Sequence, residues 1–102
     1  MIDEELPVTV EQLRSRRAEI VAVAERHGAS NLRIFGSVAR GEGVDSSDID
    51  FLAQFQPDRS LFDWAELVRE LEILLGAKVD VVSDRGLRDR VRQTIVRDAV
   101  PL

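Results

Sequence analysis

Residues 31–55 read NLRIFGSVARGEGVDSSDIDFLAQF, and the rest of the chain is arranged around this stretch. Asn31 to Phe35 is short and β-prone, and glycine follows at once. Leu32, Ile34 and the following Gly36 fall on one side of such a strand, Arg33 and Phe35 on the other. A glycine at 36 lets the backbone turn sharply and lets a ligand come close. Ser37 is placed to open a short helix, whose free N–H groups and positive dipole end attract phosphate. Arg40 can hold an anion or staple the following loop through an ion pair. After ten intervening residues Ser37 is followed by Asp48-Ile-Asp50, at the head of a second strand expected over 48–55 and ended by Pro57.

Asp48 and Asp50 are two apart, so on a strand their side chains share a face, with backbones about 6.6 Å apart. Ile49 and Phe51 then face the core. Two unpaired carboxylates repel, and one tends to keep its proton. A divalent cation reverses that cost, and magnesium takes carboxylate and phosphate oxygens at ~2.1 Å. Asp80 is a third acid, set in the otherwise apolar run Val79-Asp-Val-Val82. An acid in such a run is seldom left without a partner. If the strand holding Asp80 lies beside the second strand, all three acids reach one place. Three converging carboxylates suit two metal ions ~3.5–4 Å apart, which clamp a phosphoryl displacement. The plainer alternative is that these aspartates are solvated strand-edge residues or turn caps.

Working outward, Thr9-Val-Glu-Gln12 fits a capping box. Val10, Leu13, Ile20, Val21 and Ala24 recur at helical spacing, and Gly28 suits a stop. One helix is expected over about residues 10–27, after a loose lead-in at 1–8. Ser60 can cap a helix running to Leu75, with Leu61, Trp64, Leu67, Val68, Leu71, Leu74 and Leu75 as its apolar face and Gly76 as its stop. A third strand is expected over 78–82. Leu87, Val91 and Ile95, four apart, mark a last helix before the apolar tail Val100-Pro-Leu102. The fold class expected is α/β (α+β), a small mixed sheet packed with helices. A helical crossover from the second strand to the third fits parallel pairing.

The chain has 102 residues, enough for a single domain over 1–102. It has no cysteine, which excludes disulfides, zinc–thiolate sites and thiol nucleophiles. His27 is the lone histidine, which excludes multi-histidine metal sites, and it is given no chemical role. Trp64 is expected in the core. No apolar run is long enough for a membrane span, and the acidic N-terminus lacks signal-peptide character, so a cytoplasmic protein is expected. Net charge is −5, which argues against direct nucleic-acid binding. Residues 42–84 carry eleven acids and three bases, so this segment repels anions unless cations are bound there. Residues 85–102 carry five arginines, Arg85, Arg88, Arg90, Arg92 and Arg97, as a solvated face or a contact for acidic groups.

Gly36-Ser37 followed after ten residues by Asp-x-Asp arises by chance in on the order of a few per thousand chains of this size. With Arg40, Gly41, Ser47 and Asp80, this constellation resembles the nucleotidyltransferase superfamily of DNA polymerase beta. More narrowly, the chain resembles the minimal nucleotidyltransferases that act as antitoxins of HEPN-domain toxins, and the resemblance covers residues 10–100. It implies that Gly36 and Ser37, with Arg40, hold the triphosphate of ATP. It implies that Asp48 and Asp50 bind Mg2+, and that Asp80 binds the catalytic ion and helps deprotonate the attacking hydroxyl. The implied partner is a HEPN-type RNase toxin, and the implied reaction moves AMP from ATP to a toxin tyrosine. The chain has no tyrosine of its own, so such an acceptor lies on another molecule. The alternatives are an antitoxin that neutralises by contact alone, and a transferase acting on a small molecule. A homo- or hetero-oligomer fits either reading.

Overall fold

The computed structural model describes residues 9–42, 48–85 and 89–102. The lead-in at 1–8, Ser47 and Leu87 lie outside the described residues. The elements are α1 (Val10–Ser15), α2 (Arg17–Arg26), β1 (Ala29–Phe35), α3 (Gly36–Ala39), β2 (Ile49–Phe55), α4 (Leu61–Leu75), β3 (Val79–Ser83), α5 (Asp89–Asp98) and β4 (Val100–Pro101).

The helix expected over 10–27 is two helices. The Thr9–Gln12 capping box starts α1, and the chain leaves helical geometry at Arg16. The Arg16 guanidinium donates through Nη1 to the Leu74 carbonyl at 2.7 Å, which satisfies one of the orphan acceptors at the end of α4. A tertiary hydrogen bond therefore accompanies the break that apolar spacing does not reveal. At the start of α4, the Asp63 carboxylate accepts from the Ser60 N–H at 2.9 Å. Gly76 ends the same helix in the left-handed region, its N–H donating to the Glu72 carbonyl at 2.8 Å.

The four strands form one mixed sheet in the order β3-β2-β1-β4. β2 and β3 are parallel, joined by the α4 crossover, and the other two pairings are antiparallel. β1 begins at Ala29, earlier than expected, and its register with β2 shifts between Ser30 and Arg33. Asn31 sits there with φ 50°, a left-handed conformation asparagine tolerates better than most residues. The C-terminal apolar tail packs within the molecule. Val100 and Pro101 pair with Ile34 and Arg33, and Leu102 is buried.

Ile34, Phe51, Val79 and Val81 lie under α2 and α4 and meet Ile20, Val23, Ala24, Leu67 and Leu71 in one core. One expected apolar-face position differs, while Trp64 packs against the core as expected. Leu61, the first residue of α4, is largely exposed. Trp64 is partly buried, and its indole N–H donates to the Val81 carbonyl at 2.7 Å. Among the described residues no helix is long and apolar enough to cross a membrane.

Candidate active site

The strand register brings the two strand carboxylates together. Asp50 is the cross-strand partner of Asp80 on one side and of Phe35 on the other. Paired residues share a face of the pleat, so Asp50 and Asp80 lie side by side, opposite the face that carries Phe51 and Val81 into the core. Asp48 stands one residue ahead of β2 and is exposed.

Phe35 leads directly into α3, so the glycine turn sits over Asp50. Gly36 has φ 76°, and a Cβ there would run into the Asp50 carboxylate. The missing side chain at 36 is therefore what allows the turn and the carboxylate to be neighbours. Ser37, half-buried in α3, accepts the Glu42 N–H on its carbonyl at 2.8 Å, which folds the following loop back on the turn. Arg40 caps α3 and reaches two carboxylates. Its Nε is 3.3 Å from Glu42, and its Nη1 is 3.3 Å from Asp98 at the end of α5. Both neighbours hold its guanidinium above the usual arginine range, Glu42 contributing most.

The Asp50 carboxyl titrates above the ordinary aspartate value. Burial is the main cause, the negative charges of Asp80 and Asp48 add to it, and Arg40 partly offsets it. Asp50 thus stands beside two further carboxylates with one arginine as counterweight, so the site is short of positive charge. The donor set, carboxylate oxygens alone, fits a hard divalent cation such as magnesium. Among the described residues no three acids come close enough to hold an ion by themselves. Magnesium seldom uses an all-protein cage: one or two carboxylates with substrate phosphates are its common ligands, and Asp50 with Asp80 is a pair that could take that part.

Two partners in this region were not legible from local sequence. Asp98 lies 58 residues beyond Arg40, and nothing near either residue marks the pair. Arg33, on the carboxylate side of β1, pairs with Asp84 at 3.3 Å, and its Nε is buried without a hydrogen-bond partner among the described residues. The strand alternation does place Arg33 on that side, but only the fold brings Asp84 to it.

Residues 18–102 match the family described as polymerase beta, nucleotidyltransferase. The chain is 36% identical over 94 residues to protein adenylyltransferase MntA of Thermococcus cleftensis, covering 91% of this chain and 95% of that one. A solved structure provisionally described as a minimal nucleotidyltransferase superposes with a TM-score of 0.82 at 48% identity, covering 93% of this chain and 97% of the other. A more distant likeness is to a re-refined complex of tri-AMPylated Shewanella oneidensis HEPN toxin with MNT antitoxin. Its TM-score is 0.66 at 19% identity, over 86% of this chain and 69% of that one, a likeness of fold alone. The chain belongs to the polymerase beta nucleotidyltransferases and, within them, to the minimal nucleotidyltransferases.

Proposed function

We propose that the protein is an antitoxin that transfers AMP from ATP to a tyrosine hydroxyl of a HEPN-type toxin, acting in the cytoplasm on another protein rather than on nucleic acid. The observation that carries this reading is the pairing of Asp50 with Asp80 across parallel strands, directly under the Gly36 turn. The relatives named as an adenylyltransferase and as an antitoxin complexed with an AMPylated toxin support the choice of AMP and of a protein acceptor.

In this reading Gly36 and Ser37 hold the triphosphate, and Arg40 faces its negative charge. Asp48, Asp50 and Asp80 would hold Mg2+, as one ion or two, together with the phosphates of the substrate. When bound, the metal would neutralise phosphate charge and polarise the phosphoryl oxygens. Asp80 accepts the proton of the tyrosine hydroxyl. The hydroxyl oxygen forms a bond to the α-phosphorus, the bond from that phosphorus to the bridging oxygen breaks, and diphosphate leaves with the electron pair. The chain's own contribution is placement and charge, the usual source of rate in phosphoryl transfer. With no tyrosine in the chain, the acceptor cannot be internal.

The test is ATP labelled at the α-phosphate, incubated with Mg2+, the folded protein and its co-expressed HEPN-type partner. Label on the partner, and a mass gain of whole AMP units, is the expected result. Asp48→Ala/Asp50→Ala should abolish both. No label with folded protein would count against the reaction. Full protection of cells by the double variant would mean that contact alone neutralises the toxin.

A further inference from the structure

The outer face of α4 carries large apolar side chains that the fold does not use. Phe62 is 83% exposed and Ile73 is 72% exposed. They lie eleven residues apart, close to three turns, so they share one line along the helix about 16 Å long. Between them on that line are Glu66 and Arg69, both exposed and, among the described residues, in no ion pair. The steps from Phe62 to Glu66 to Arg69 to Ile73 are four, three and four residues, the spacing at which one helix seats against another.

The order along this line is apolar, acid, base, apolar. Laid antiparallel against its own copy, the line is complementary to itself. Phe62 meets Ile73 of the second copy, and Glu66 meets Arg69, at both ends of a two-fold axis. Beside Ile73 is an open hollow of about 300 Å³ between α2 and α4, lined by Val23, Arg26, Glu70, Ile73 and Leu74. In this pairing the Phe62 ring of the second copy enters that hollow, beside the Arg26 guanidinium. A knob, a hole and a reciprocal charge pair thus lie on one face at mutually consistent positions.

We propose that two copies of this chain associate through α4 in an isologous, antiparallel contact, with Phe62 of each copy seated beside Ile73 of the other. Because α4 packs on the sheet face opposite Asp50 and Asp80, the two carboxylate sites point away from the contact and stay open. A single helix seam falls short of the ~800 Å² per partner of a stable complex. Association is therefore weak and develops at protein concentrations on the order of 0.1 mM. This inference does not depend on the reaction proposed above, and its test uses no nucleotide.

The test is sedimentation equilibrium of the full chain over roughly 0.01–1 mM. The apparent mass should rise from the monomer's 11.5 kDa toward twice that value. Phe62→Glu should stay monomeric. Glu66→Arg sets like charges against each other twice and should weaken association about tenfold. The combined Glu66→Arg/Arg69→Glu exchange should restore it, which an unspecific apolar surface would not do. All three positions are exposed, and circular dichroism checks that each variant is folded. A wild-type chain that stays at the monomer mass throughout, or a double exchange no tighter than Glu66→Arg alone, overturns the proposal.

Discussion

Gly36 and Asp50 illustrate how one residue's chemistry depends on its neighbour's absence of bulk. The turn can lie against the carboxylate because position 36 has no Cβ. Asp50, half-buried and flanked by Asp80 and Asp48, has its pKa raised. The sign for stability follows. A folded-state pKa above the unfolded value means that the charged form is disfavoured on folding. The favourable state is complete below the unfolded value of about 3.9 and is lost as pH rises through the folded pKa. Asp50→Asn removes that loss. It should raise the melting temperature at pH 7, with the difference from wild type vanishing near pH 3, and thermal unfolding across pH measures it. The same variant should lose Mg2+-dependent nucleotide binding, read by calorimetry.

At the scale of elements, α4 secures both its neighbours with side chains. On one side, Glu72 accepts the Val79 N–H at 3.1 Å, and Trp64 donates to the Val81 carbonyl. The inward groups of β3 are taken by β2, as the bonds from Ile49 to Lys78 and from Asp84 to Ala53 show. The helix thus covers part of the outer edge of β3, which would otherwise invite another strand. On the other side, His27 at the end of α2 lies 2.6 Å from Glu70, with Arg26 at 3.4 Å. The hydrogen bond from His27 is the main cause that holds the Glu70 carboxyl below its usual value. A lowered carboxylate pKa gives stability that is present above the unfolded value, about 4.3, and lost as pH falls through the folded one. Glu70→Gln should therefore flatten the acid side of the stability profile, in denaturant titrations from pH 7 down to about 3. Its effect opposes that of Asp50→Asn.

At the scale of the whole molecule, the crossover through α4 places β3 parallel to β2 and in the register that pairs Asp80 with Asp50. The site therefore depends on the core beneath it. Leu71, fully buried between α4 and the sheet, is one of its central side chains. Leu71→Ala should cost about 2–5 kcal/mol, out of roughly 5–10 kcal/mol for a domain of this size. Urea unfolding followed by circular dichroism checks this. Charge is also distributed at this scale. The segment holding the carboxylates is strongly acidic, and Arg40 joins its turn to the end of α5 through Asp98.

The elements legible in the amino-acid order were those governed by short-range chemistry. Glycine at 36 and 76 marked a turn and a helix end, Thr9 with Gln12 marked a helix start, and the Asp-x-Asp pattern marked the head of β2, although the strand itself takes in Asp50 and leaves Asp48 one residue before it. Such features need only neighbours within about four residues, and those neighbours are written in the chain. The break at Arg16 accompanies a bond to Leu74, and the shift at Asn31 belongs to the β1–β2 ladder. Local patterning carries neither of these, because each depends on a partner tens of residues away. The same holds for the meeting of Asp50 with Asp80 and of Arg40 with Asp98. Which acids were available was decided by composition; which of them became neighbours was decided by strand order and register, set by burying one apolar face of the sheet under two helices.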